Sequence, residues 1–122
     1  MAIWSIGPVV EEPEVELVDW RVYGLRGVYG DSVSRHFAGT CAAEGSGRVS
    51  SGIQTFDAAR HRGTTRSGRV YELVGRPGWS MNADYVWSAF CRIHPVQEVR
   101  DVTFEFAEQA KRETPVGRRT KP

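Results

Sequence analysis

Absences narrow the field first. Only two cysteines occur in 122 residues, Cys41 and Cys91, and without CxxC spacing they make neither a disulfide framework nor a zinc knuckle. No apolar run is long enough to cross a bilayer. The opening "MAIWSIGPVV" has no basic residue ahead of its apolar stretch and is broken by Gly7 and Pro8, so it reads as neither a secretory signal nor a span. The expected setting is cytoplasmic, with reduced thiols and no membrane partner. The signatures GxSxG, HExxH, GxGxxG and a Walker phosphate loop are all missing. Three histidines show no ligand spacing, and His36 and Cys41 differ in strand parity, so their side chains face opposite sides of a sheet. No catalytic residue, no metal and no cofactor is therefore assigned. The carboxylate pairs Glu11 and Glu12, and Glu105 and Glu108, stand in polar or terminal contexts and read as solvated.

Net charge is also nearly absent, at +1, which argues against a chain that binds polyanions over its whole surface. The balance hides an asymmetry. Residues 1–59 carry 4 basic and 8 acidic side chains, and residues 60–122 carry 12 and 7. With 40% hydrophobic and 25% charged residues the composition is that of an ordinary globular domain, and the length suits a single core.

The alternation in "EEPEVELVDWRVYGL" predicts a half-buried strand with Val18, Trp20 and Val22 on one face and Asp19, Arg21 and Tyr23 on the other. "RGVYGD" supplies turn residues, and "SVSRHFAGTCA" follows as a second strand with Phe37, Gly39 and Cys41 on one face. "RVSSGIQTF" reads as a third strand, "DAARHRGTTRSG" as a long loop and "RVYELVG" as a fourth strand. Val86, Ala89, Phe90 and Ile93 then fall at helical spacing, with Asn82 or Asp84 available as N-cap and Pro95 to stop the run. "VQEVRDVTFEF" returns to period two with Val102, Phe104 and Phe106 on one face. The expected fold class is α+β, a mostly antiparallel meander of about five strands with one helix packed on a face. Residues 1–106 form the single domain, and residues 107–122 are expected to be a short helical turn and a basic flexible tail. Trp20 and Trp87 are expected in the core.

The tetrapeptide "SGRV" occurs at Ser46–Val49 and again at Ser67–Val70. It reads as a turn leading into a strand: glycine tolerates positive φ, arginine an exposed first strand position, and valine the pleat. One ligand is not expected to touch both copies. In a meander the first and third turns emerge at one end, which groups Arg26 and Tyr29 with Arg60, His61, Arg62 and Arg66. No acidic residue lies between Arg60 and Arg69, so this edge is a candidate docking surface, unless its arginines pair with the glutamate-rich N-terminal segment. Trp79, in the loop "RPGWSMNADY", is a candidate exposed anchor.

The run "RHFAGT…GRVSSGIQTFDAARHRGTTRSGRVYELVGRPG…DYVW" resembles short, functionally uncharacterised proteins carried by phages and mobile elements of proteobacteria, over about residues 18 to 104. That resemblance implies an accessory protein, among which stoichiometric inhibitors of host defence, such as anti-CRISPR proteins, are a frequent class. The leading expectation is a non-enzymatic interaction protein that docks on a host protein or nucleoprotein complex. The alternative is a nucleic-acid-binding accessory protein that uses the arginine-rich loop. A third class is a small enzyme with a site assembled from His36, His61 or Asp84.

Overall fold

Alternating residues from Glu14 onward build a 14-residue strand, β1 (Glu14–Gly27), and the rest of the sheet is arranged on its two edges. The structure is a computed structural model that describes residues 13–94 and 96–107. Along one edge β1 pairs antiparallel with β2 (Gly30–Cys41) through a tight turn in which Gly27 and Gly30 both take positive φ. On the other edge it pairs first with β6 (Val70–Leu73), in parallel, and then with β7 (Glu98–Asp101), antiparallel. β3 (Gly47–Val49) extends the sheet beyond β2, while β5 (Arg62–Thr65) and β4 (Ile53–Asp57) extend it beyond β6. The order is β3-β2-β1-β6-β5-β4, with β7 beside β1. The class is α+β and the sheet mostly antiparallel, with seven strands where about five were expected.

The difference arises at Ser50–Gly52. "RVSSGIQTF" does not run on as one strand: it breaks there into β3 and β4, which stand at opposite ends of the sheet. The expected long loop is itself a hairpin, with a turn at residues 58–61 leading into β5. Because β5 intervenes and β6 joins β1 in parallel, the sheet is not a simple meander. β6 itself matches the expected fourth strand closely.

One side of the sheet holds Val15, Leu17, Trp20, Val22, Phe37, Cys41, Tyr71, Leu73 and Phe106 in a continuous core. Leu17 and Trp20 differ in parity, and both point inward because the register shifts between Val18 and Arg21, where Asp19 takes φ 50°. This bulge replaces the expected Val18–Trp20–Val22 face with Leu17–Trp20–Val22. Phe37 is fully buried and meets Phe56, Tyr71 and Phe106 at centroid separations of 6.3, 5.7 and 6.3 Å.

The helix α1 (Met81–Ile93) starts at Ser80, whose hydroxyl accepts the Ala83 N–H at 3.0 Å; neither Asn82 nor Asp84 is the cap. It buries Ala83, Val86, Ala89 and Phe90, and leaves Ile93 exposed. Trp87, half-buried, stacks on Tyr23 at 4.1 Å, and Phe90 lies 5.5 Å from the His36 ring. β7 ends at Asp101 because its carboxylate accepts the Thr103 N–H at 3.0 Å, capping a helical turn over residues 103–107. Phe106 therefore enters the core while Phe104 is 74% exposed, in place of the expected shared face. Both SGRV arginines are buried, Arg48 at 2% and Arg69 at 4% exposure, contrary to the expected exposed strand starts. The expected stop at Pro95, the basic tail and the carboxylates Glu11, Glu12 and Glu108 lie outside the described residues.

Candidate functional site: a groove between two sheet edges

A cavity of about 530 Å³ lies between residues 32–35 of β2 and Gly52 with the following residues 53–56 of β4. Its closed end is tied at Gly52. The Gly52 N–H donates to the Tyr29 hydroxyl at 3.0 Å, and the Arg66 N–H donates to the Gly52 carbonyl at 2.8 Å. A Cβ on Gly52 would come within 3.0 Å of the Tyr29 ring and 3.7 Å of Ser34 Cβ, so only glycine fits without displacing the ring. With the backbone of Arg66 held in this way, its guanidinium lies 4.0 Å over the Tyr29 ring, a cation–π contact. Arg35 borders the same groove, and its guanidinium makes an exposed pair at 3.3 Å with Glu105, with which it also lines a neighbouring cavity. Among the described residues no acidic side chain lines the groove, and its apolar surface comes from Val33, Ile53, Phe56 and Phe106.

Of the residues singled out in the sequence, Tyr29 and Arg66 are brought together. The others are not part of this groove. Arg60 and His61 belong to the β4–β5 turn, at the far end of that hairpin from Arg66. Arg60 pairs with Asp57 at 3.8 Å, Arg62 with Glu14 at 2.8 Å and Arg26 with Glu98 at 3.1 Å. His61, held at φ 59°, turns its ring inward against Trp20 at 5.3 Å and Phe56 at 6.0 Å. Trp79 is 60% exposed, just ahead of α1, close to exposed Met81 and Tyr85 in the chain. Arg35, Ser34 and Gly52 escaped sequence reasoning because their meeting depends on the break after β3.

Beneath the groove, Ser34 Oγ and His36 Nε2 are 2.7 Å apart, and His36 Nδ1 is 2.8 Å from the Ser50 carbonyl. A carbonyl only accepts, so Nδ1 carries the proton and Nε2 accepts from the serine. The Tyr29 ring, at 6.0 Å, and the Phe90 ring, at 5.5 Å, pack against the imidazole. Burial holds His36 below the ordinary imidazole range, assisted by neighbouring His94 and opposed by the Ser50 carbonyl. Burial lowers His61 likewise, opposed by the Leu73 backbone. Among the described residues no three His, Cys, Asp or Glu side chains are grouped to hold a metal ion, and no helix is long and apolar enough to cross a membrane.

No protein-family model matches the chain, and no match is found to a curated protein or to a solved structure.

The two lowered histidines fix the sign of one pH effect. Below about pH 6.5 the unfolded chain binds protons that the folded chain resists, so stability falls as the pH drops through that region. Urea midpoints should therefore decrease between about pH 7.5 and pH 5, above the range in which most carboxylates titrate. A midpoint that stays level across this interval would contradict the neutral state of the buried His36 ring and the half-buried His61 ring.

Proposed function

We propose that this chain is a non-enzymatic interaction protein that docks an acidic surface of a partner protein in the groove between β2 and β4. The observation that carries this reading is the Arg66 guanidinium fixed over Tyr29 at the groove, with Arg35 nearby and, among the described residues, no carboxylate in the lining. A cation held on an aromatic ring loses less freedom on binding than one on a free side chain, and guanidinium recognises carboxylates through paired hydrogen bonds. The Arg35–Glu105 pair is exposed, and such pairs are worth about 0–1 kcal/mol, so a better-placed carboxylate displaces it at little cost. Action as a stoichiometric inhibitor of host defence, on a protein or nucleoprotein such as a CRISPR effector complex, extends this reading and rests on the resemblance to phage and mobile-element proteins. Direct nucleic-acid binding through the arginine-rich loop is less favoured, because Arg60 and Arg62 each face a carboxylate of this chain.

The double variant Arg35→Ala/Arg66→Ala should fold normally, since exposed substitutions change stability by about 0.5 kcal/mol or less each. It should lose stoichiometric capture of a partner from host lysate, while Arg60→Ala/Arg62→Ala retains it. The reverse pattern, together with an affinity for DNA that falls steeply with salt, would favour the nucleic-acid reading instead.

A second reading is favoured by the 2.7 Å Ser34–His36 contact and the carbonyl behind it. In that reading Ser34 Oγ attacks the acyl carbon of an ester or amide, His36 Nε2 takes its proton and returns it to the leaving alcohol or amine as the bond to the acyl carbon breaks, and the Ser50 carbonyl orients the ring. A fluorophosphonate probe followed by intact-mass measurement separates the two. The interaction reading expects no adduct, whereas an adduct lost in Ser34→Ala would put acyl transfer in its place.

A further inference from the structure

We infer that the groove takes an extended, acidic segment of the partner as an added β-strand. This rests on the docking proposal and specifies how the partner is held. Two sheet edges border the cavity. Residues 33–35 of β2 pair with β1 on one side, and the other side is occupied by β3 at Ala38, Gly39 and Thr40 and by Ser50 at Phe37. β4 ends the strand order and pairs with β5 alone. Among the described residues, both strands thus turn an unpaired backbone edge towards the same space. An unpaired edge is a template for a further strand, whose main-chain hydrogen bonds supply affinity whatever its side chains are.

The side chains then select which strand enters. Five lining residues, 52–56, at about 3.3 Å each, match an occupant of about five residues. Successive side chains of an added strand point to opposite faces. Arg35 and Arg66 suit carboxylates at alternate positions, and Ile53, Phe56 and Phe106 suit apolar residues between them. The sheet already accepts one segment of this pattern from its own chain: Glu14, Val15, Glu16 and Leu17 alternate in the same way and pair with β6. Gln54 falls at the register shift between Ile53 and Thr55, where the β4–β5 ladder is already irregular, so a proline there removes an N–H at the least costly position of this edge.

The test uses the full chain and a labelled seven-residue peptide of alternating glutamate and valine, with its lysine–valine counterpart as control. The expected result is saturable binding of the glutamate peptide alone. Amide exchange at residues 32–35 or 53–56 should slow at least tenfold on binding. Gln54→Pro should weaken binding at least tenfold with an unchanged urea midpoint, and if that variant unfolds, the exchange measurement on the wild-type chain decides. Binding that requires Arg35 and Arg66 but protects neither edge would overturn strand addition and leave the docking proposal standing. Edges already protected in the free protein would mean that a segment of this chain or a second copy fills the groove, and would overturn the inference as well. Absence of peptide binding, while capture of a partner still depends on Arg35 and Arg66, would do the same.

Discussion

Ser50, Ser51 and Gly52 join two strands that stand at opposite ends of the sheet order. In a flat sheet, with strands about 4.8 Å apart, β3 and β4 would be separated by about 24 Å. The chain from Val49 to Ile53 reaches at most about 14 Å. The sheet therefore has to curl until its two ends approach. Packing reinforces what connectivity demands. Phe37 of β2 reaches across the interior to Phe56 of β4 and to the backbone of β5, where a Cβ on Gly63 would lie 2.5 Å from the ring. Truncation of a buried phenylalanine costs about 3–5 kcal/mol, so this ring alone accounts for much of the stability of so small a domain.

The groove is a consequence of the same curl. The two ends come together at Gly52, where Tyr29, Ser34 and Arg66 converge, and towards Phe56 and Ser32 no further strand among the described residues fills the space between them. Tyr29 serves both purposes: its hydroxyl accepts the Gly52 N–H that ties the apex, and its ring supports the Arg66 guanidinium. His36, below it, supports the apex from inside, with both nitrogens engaged and its ring packed between Tyr29 and Phe90. Connectivity, core and candidate site thus share a small set of residues.

Local pattern made part of this legible in advance. The β1–β2 hairpin, the strand at Val70–Leu73, the helix and the inward faces of Phe37 and Cys41 follow from period and turn chemistry that act over a few residues. What local pattern hides depends on distant partners. "RVSSGIQTF" keeps a strand-like composition through Ser50–Gly52, and only the tertiary demand at Tyr29 and Phe37 breaks it there. "RHRGTT" looks like a loop because Gly63 sits in it, yet glycine is needed there to give room to Phe37. The Asp19 bulge and the Asp101 cap are single-residue departures from a regular period. Tyr29 and Arg66 were legible as neighbours, though through the β5–β6 turn and not through the loop that carries Arg60; Arg35 was not, since its place in the groove exists only once β4 has moved to the far end of the sheet.

The curl is tested most directly by nuclear Overhauser contacts from the Phe37 ring. In a flat sheet of this order β2 and β5 stand three strands apart, about 14 Å, beyond the reach of the effect. The curled sheet predicts strong contacts from the Phe37 ring protons to Gly63 Hα and to the Phe56 ring, with Gly63 Hα displaced by the ring current. Assigned resonances of Phe37 and Gly63 with no contact between them would contradict the curl, and with it the groove.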